Sequence, residues 1–388
     1  MTSSHLDHPL PTPAWLTAVL RQAGALQYGA VQAVESHANA AFNSQLRHLQ
    51  LQYTPDAAPA LPTQLVLKQN LAEDWAIAAG ADEVTFYQLV ARMPDHPPIT
   101  IPCLAASADP QTGHSYLLLE DISATHAPPM TRAQQLDTTT SVPAQHQIDA
   151  CIDTLAQLHA FWWDHPLREE NIFAVGYWSR TAERFAQYLQ RRRRAWEQLQ
   201  NQAHSWFPAD LHALYEETLD RLPDYWERQL RPRFTALHNL TLIHGDAYFA
   251  NFLCPRAASA GHTYLVDWQS PSFDIGAYDL VNLCATFWTA EQRHAGQREM
   301  HALQRYHAVL LQRGVAHYRW ENLVEDYQHG LIFWLLMPLQ DAADGADTDY
   351  WWPKMQCVAA AFQEWQCDAL LGRGRERHRE PPAAAPTA

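Results

Sequence analysis

Apolar and polar positions divide this chain into a β-rich first third and a helical remainder. Leu46 to Tyr53 alternates apolar and polar residues, the period of a half-buried strand, within a β-rich stretch from 28 to 53. Gln64 to Lys68 and Ser115 to Glu120 are short apolar runs of strand length, and Pro55 to Pro62 between strands reads as a turn. Pro13 to Leu20 reads as a short helix with proline in its first turn. A second helical pattern, carrying Phe86, Tyr87, Leu89 and Val90, begins near Asp82-Glu83. Asp121 to Val142 is a long polar connection. After residue 143 helices dominate: Ile148, Ile152, Leu155, Leu158, Phe161 and Trp162 mark one helical face, and further helices are expected across 177–204, 207–231, 277–287, 290–313 and 321–338. The exception is Thr241-Leu242-Ile243 with Tyr264 to Trp268, a loop and strand pair. The pattern predicts an α+β, bilobal architecture. Residues 1–122 form the N-terminal lobe, 123–370 the helical lobe and 371–388 a Pro/Ala-rich disordered tail. The cleft between the lobes is the natural ligand site.

Composition narrows the possible partners. The 388 residues carry a formal net charge of -15, which argues against nucleic acid or an anionic membrane surface. The longest apolar run, Leu331 to Leu339, is too short to span a bilayer. Neither a signal-peptide pattern nor paired cysteine spacing is visible, so a reduced cytoplasmic setting is expected. Only two of the 27 basic residues are lysine, Lys68 and Lys354. Arginine serves elsewhere, so a lysine on an early strand stands out. The run Arg191 to Arg194 wraps around its helix and reads as a solvated face.

The chemistry concentrates in His244 to Asn251, which spells H-x-D-x-x-x-x-N, with Asp267 following in Tyr264-Leu265-Val266-Asp267-Trp268. Phosphoryl transfer needs a carboxylate beside the attacking hydroxyl and oxygen ligands for magnesium nearby. Asp246 is the candidate catalytic residue, accepting or orienting the hydroxyl proton. Asn251 and Asp267 are the candidate magnesium ligands, one amide and one carboxylate to be completed by phosphates and water. His244 is expected to position the loop. Lys68 is the candidate phosphate-binding cation, with Glu83 as its carboxylate partner and Glu73 as the alternative. Glu120 and Ile122, at the end of an apolar strand, offer backbone groups to an adenine edge. Ser36 to Ser44 could cover the phosphates, although it contains no glycine. Asp279 is expected to accept from backbone N–H groups of the 244–251 loop. The aromatic residues of the last hundred positions read mainly as core, with caging of a quaternary ammonium as the alternative.

The ordered set of motifs resembles the aminoglycoside phosphotransferase and choline-kinase-like superfamily, most of all its ecdysteroid kinase-like branch. It comprises Leu65 to Lys68, Glu83 to Tyr87, Leu117 to Asp121, Leu158 to Trp162, His244 to Asn251, Asp267-Trp268-Gln269 and Tyr278-Asp279-Leu280. The resemblance implies a protein-kinase-like bilobal fold and ATP- and Mg2+-dependent phosphorylation of a small-molecule hydroxyl. A protein kinase fits less well. Gly245 stands where an activation-loop-binding arginine would be, and only eleven residues separate Asp267 from Asp279. A non-catalytic nucleotide- or ligand-binding protein on a kinase-like scaffold is the alternative from another class. It predicts loss of one of Lys68, Asp246, Asn251 or Asp267, and all four are present.

Overall fold

The computed structural model describes residues 11–40, 44–137, 142–203, 205–257 and 261–372. Helix α1 (Pro13–Gln22) starts where the sequence directs it. The Thr12 hydroxyl accepts from the Trp15 amide at 3.2 Å, and Pro13 occupies a first-turn position that needs no N–H. Strands β1 (Val31–Ala40), β2 (Ser44–Tyr53) and β3 (Gln64–Asn70) follow, then α2 (Asp74–Val90), β4 (Cys103–Ala108) and β5 (Ser115–Glu120). The five strands form one antiparallel sheet in the order β1-β2-β3-β5-β4.

Strand alternation sorts the side chains of this sheet. Leu65, Leu67 and Leu118 pack with Leu16, Val19 and Leu20 of α1. Leu117 and Leu119 point the other way, into the main core with Val84 and Phe86 of α2. Lys68 is one residue out of phase with Leu67, so it leaves the α1 side and meets α2 and the cleft.

The second lobe contains β6 (His126–Ala127), α3 (Arg132–Leu136), α4 (Gln145–Trp162), β7 (Ala174–Val175), α5 (Ala182–Ala203) and α6 (Ala209–Tyr225). One π-helical turn, Trp226–Leu230, leads into α7 (Arg231–Ala236). Then come β8 (Thr241–Ile243), β9 (Phe252–Pro255), β10 (Tyr264–Leu265), β11 (Ser272–Asp274), α8 (Ala277–Ala285) and α9 (Ala290–His294). The chain closes with α10 (Arg298–Gln312), α11 (Trp320–Leu335), α12 (Met337–Ala343) and α13 (Thr348–Glu364). Two three-stranded ribbons, β10-β9-β6 and β7-β11-β8, frame the 244–251 loop. The architecture is α+β and bilobal: a sheet lobe, a cleft and a helical lobe. Among the described residues no helix is long and apolar enough to cross a membrane.

Several expectations change. Helix α2 begins at Asp74, two turns before Asp82. Its first half is alanine-rich, which favours helix but gives little apolar contrast to read. Strand β4 was not expected, because Cys103-Leu104-Ala105-Ala106-Ser107-Ala108 lacks β-branched residues. Helix α13 was also not expected, because Pro353 interrupts its pattern. The polar connection from 121 to 142 contains β6 and α3. Ser36 to Ala40 is strand rather than loop, and residues 41–43 lie outside the described residues. Within the arginine run, Arg192 is buried, with its guanidinium 4.7 Å from the Tyr188 ring centroid and Nη1 2.6 Å from Gln340 Oε1. Of the expected tail, Leu371 is buried and residues 373–388 lie outside the described residues.

Close packing of α2 on β5 depends on Gly80. A Cβ there would come within 2.2 Å of Ser115 Oγ and 2.9 Å of Asn70 Cβ. Gly80→Ala is therefore expected to cost about 1–3 kcal/mol through overpacking. The reading is a lower urea midpoint with an unchanged slope. A wild-type midpoint would mean that β5 yields without cost.

Candidate active site

A cleft of about 450 Å³ opens between the lobes, and its lining includes Lys68, Glu83, Glu120, Ile122, Asp246, Asn251 and Asp267. All seven residues singled out from the sequence therefore converge on one cavity. Glu83 lies in the third turn of α2, later in the helix than its sequence context implies.

Lys68 is the hub. Its Nζ lies 2.8 Å from Glu83 Oε1 and 2.7 Å from Oε2, and 2.5 Å from Asp267 Oδ1. Burial works against the lysine charge, but the two carboxylates prevail and hold its pKa above the ordinary lysine value. Glu83 Oε1 also accepts from the Trp268 amide at 3.1 Å. One carboxylate thus ties β3, α2 and the segment carrying Asp267. Glu73 is not in this network.

Asp267 follows β10 with φ 69°, a left-handed backbone uncommon for a residue with a side chain. The Lys68 ion pair and the bond from the Gln269 amide to the Asp267 carbonyl (2.9 Å) hold it there. Such local strain persists where the surroundings over-determine the conformation.

The 244–251 loop is fixed from beneath. Asp279, fully buried in the first turn of α8, accepts the His244 amide at Oδ2 (2.6 Å) and the Gly245 amide at Oδ1 (2.9 Å). This is the acceptor geometry expected from the sequence. Gly245 turns the chain with φ +82°, and a Cβ there would meet the Ser270 carbonyl oxygen at 2.5 Å. Close passage of the 270 segment therefore excludes arginine at this position. His244 Nε2 faces the Val266 carbonyl at 2.9 Å, and its Nδ1 accepts the Asp246 amide at 3.2 Å. A carbonyl must receive a proton and an amide must give one, so these bonds assign the neutral Nε2–H tautomer. Burial lowers the His244 pKa in the same sense.

Asp246 rests against Asn251. The Asn251 Nδ2 donates to the Asp246 carbonyl at 2.8 Å and to its Oδ2 at 3.3 Å. Because the amide nitrogen is committed there, Asn251 Oδ1 has no hydrogen-bond partner among the described residues. Burial, and then the neighbouring Asp267 charge, push the Asp246 carboxyl up to about 7. Asn251 Oδ1 and the Asp267 carboxylate are hard oxygen donors of the type magnesium takes. Among the described residues no cluster of three His, Cys, Asp or Glu side chains could hold a metal by itself.

At the other end, β5 runs into the lobe junction. The Glu120 amide donates to the Pro102 carbonyl at 3.0 Å. An antiparallel pair would return that bond, but Pro102 has no N–H, so the Glu120 carbonyl lacks its reciprocal partner. The Ile122 amide likewise has no partner among the described residues. His48 Nδ1 lies 2.6 Å from Asp121 Oδ2 and braces the segment between these two groups.

The opposite wall was not identified from the sequence as a pocket. Tyr248, Phe287 and Tyr350 line the cleft beyond Asp246, with Arg132 of α3 at its rim. Only the aromatic richness of the C-terminal segment hinted at it.

The family model of the ecdysteroid kinase-like family matches residues 85–316 of this chain. That span includes Asp246, Asn251, Asp267 and Asp279; Lys68, Glu83, Tyr350 and Lys354 lie outside it. No curated protein matches the sequence at a significant level. Solved structures similar to this one include a choline/ethanolamine kinase family protein from Mesorhizobium loti, at 14% identity over 87% of this chain and 88% of that one, TM-score 0.44. Ethanolamine kinase from Plasmodium vivax is similar at 11% identity over 86% of this chain and 84% of that one, TM-score 0.46. The GDP complex of wild-type aminoglycoside 2'-phosphotransferase-IIIa is similar at 12% identity over 93% of this chain and 100% of that one, TM-score 0.46.

Proposed function

This chain belongs to the ecdysteroid kinase-like family, and from that premise we propose that it transfers the γ-phosphoryl group of ATP, with Mg2+, to a hydroxyl of a small molecule. The observation that carries the reading is Lys68 Nζ, held at once by Glu83 from its own lobe and Asp267 from the other, at one end of a cleft that contains Asp246. Residues 1–122 act as the nucleotide-binding lobe and 123–370 as the catalytic and substrate lobe.

Each site residue takes a role its surroundings support. The Glu120 carbonyl and Ile122 amide offer one acceptor and one donor to the adenine edge. Lys68 binds the phosphates as a point charge, and Glu83 keeps its stem in place. Asp267 and Asn251 Oδ1 hold magnesium, which neutralises phosphate charge when bound. Asp246 receives the acceptor's proton as the hydroxyl oxygen bonds to the γ-phosphorus. The bond from that phosphorus to the β–γ bridging oxygen breaks, and ADP leaves. Most of the rate gain comes from positioning and charge complementarity.

Nucleotide binding tests the metal assignment. Wild-type protein is expected to show a larger thermal shift with ATP when magnesium is present. Asp267→Ala should abolish that increment and weaken Mg·ATP binding by about tenfold or more. Equal shifts with and without magnesium in the wild type would remove Asp267 and Asn251 as its ligands. Turnover is read in parallel as acceptor-dependent ADP release across alcohols of different class. Nucleotide binding with no turnover on any would favour a binding protein on the same scaffold.

A further inference from the structure

The second of the chain's two lysines is buried behind the aromatic wall of this cleft, against Tyr350. Lys354 of α13 is 2% exposed, and its Nζ lies 2.9 Å from Asp341 Oδ2. It also lies over two aromatic rings, 5.1 Å from the Trp334 centroid and 5.3 Å from that of Tyr350. Those rings belong to a chain of four. Tyr350 meets Phe287 at 5.9 Å, Phe287 meets Tyr248 at 5.8 Å, and Tyr248 meets Trp334 at 6.4 Å. Three of the four, Tyr248, Phe287 and Tyr350, face the cleft beyond Asp246. Arg132 adds a second cation over Tyr350, its guanidinium carbon 5.5 Å from the centroid.

Aromatic faces joined by a carboxylate are what an alkylammonium ligand requires. Here the protein's own ammonium takes that place. A second cation brought behind the same rings would meet the buried Lys354 across a poorly screened interior, where like charges repel strongly, while the exposed Arg132 adds only a screened charge at the rim. Its attraction to the rings and to Asp341 is already satisfied by Lys354.

We propose that Lys354 is a tethered occupant of an ammonium cage and a specificity-determining residue, so that the pocket accepts alcohols uncharged near the hydroxyl and rejects those carrying an alkylammonium group. The inference rests on the phosphotransferase reading in treating this half of the cleft as the acceptor side. It adds the charge class of the acceptor and the residue that sets it. A lysine serving only to join α13 to Asp341 would give the same ion pair but no discrimination among ligands.

Choline and neohexyl alcohol, in which carbon replaces the nitrogen, have nearly the same shape and differ in charge. Their affinities, measured by calorimetry, are compared in wild type and two variants. The wild type is expected to favour neohexyl alcohol by at least about tenfold. Lys354→Ala exposes the rings and leaves Asp341 without its cation, so choline should gain at least about tenfold and become the preferred ligand. Lys354→Met removes the charge while still filling the cage, so it should narrow the wild-type gap without inverting it. Equal or tighter binding of choline by the wild type overturns the proposal, as does a folded Lys354→Ala that gains nothing for choline. Should Lys354→Ala not fold, the wild-type ratio and the Met variant decide. Phosphate transfer from ATP to the bound alcohol is measured separately. The expected binding order without transfer counts against the phosphotransferase reading alone. Transfer to choline by the wild type counts against the charge filter alone.

Discussion

Asp246→Asn is expected to lower turnover by about a thousandfold while changing nucleotide affinity by no more than about twofold. Asparagine keeps the shape of the side chain but cannot take the proton released as the hydroxyl attacks. The loop should survive, because its anchors lie elsewhere. The His244 and Gly245 amides bind Asp279, the Asp246 amide binds His244 Nδ1, and Asn251 holds the Asp246 backbone carbonyl. None of these bonds uses the Asp246 carboxylate. Nucleotide affinity should also survive, since Lys68, Glu83 and Asp267 form their own network. ADP release at saturating acceptor, with a nucleotide titration on the same preparation, separates the effects. Turnover like that of wild type would remove Asp246 from the chemistry. A parallel loss of nucleotide binding would assign it to the phosphate site instead.

Asp279→Ala should be the most damaging single change to the frame around the site, costing about 3–5 kcal/mol. Asp279 is fully buried, and its two oxygens satisfy two backbone donors. Removal leaves the buried His244 amide and the half-buried Gly245 amide without their acceptor, and a stranded buried group costs about 1–3 kcal/mol. The loss extends to His159, whose Nε2 lies 3.3 Å from Asp279 Oδ2 and whose Nδ1 meets the Tyr306 hydroxyl at 2.7 Å. Asp279→Asn should fall between the two, because its amide nitrogen faces a donor where an acceptor is needed. Chemical denaturation gives the stability change, and turnover of the folded fraction reports the loop. Stability within about 1 kcal/mol of wild type would mean the two amides find other acceptors.

The site was legible where chemistry constrains residue type and order together. His244 to Asn251 and Asp267 are short, local patterns, and Lys68 stood out because lysine is otherwise scarce. Glu83 could be paired with Lys68 because a helix after a strand brings a carboxylate back over it, and the bond needs only the right face. That bond does not depend on where α2 starts. Arg192 shows the opposite case. Its composition suggested solvent, but one position in each helical turn faces inward, and Tyr188 with Gln340 gives its guanidinium partners there. The aromatic wall was the least legible part. Tyr248, Phe287, Trp334 and Tyr350 come from four separate segments, and no periodicity along the chain encodes how those segments meet. The missing return bond at Pro102 also depends on pairing with β5, which becomes visible only once β4 is in place.

The split of the cleft between segments has an evolutionary consequence. Asp246, Asn251 and Asp267 lie on a stretch of 22 residues, whereas Tyr350 and Lys354 belong to a helix near the other end of the lobe. On the proposed reading, drift at Tyr350 changes the acceptor side without touching the catalytic residues, whereas loss of Lys354 also removes a positive charge that holds the Asp246 carboxyl down. Gene copies could diversify their substrates through α13 while the shared catalytic loop remains under purifying selection. Sequence comparison of such copies should show variation concentrated at 350 against a constant 244–251.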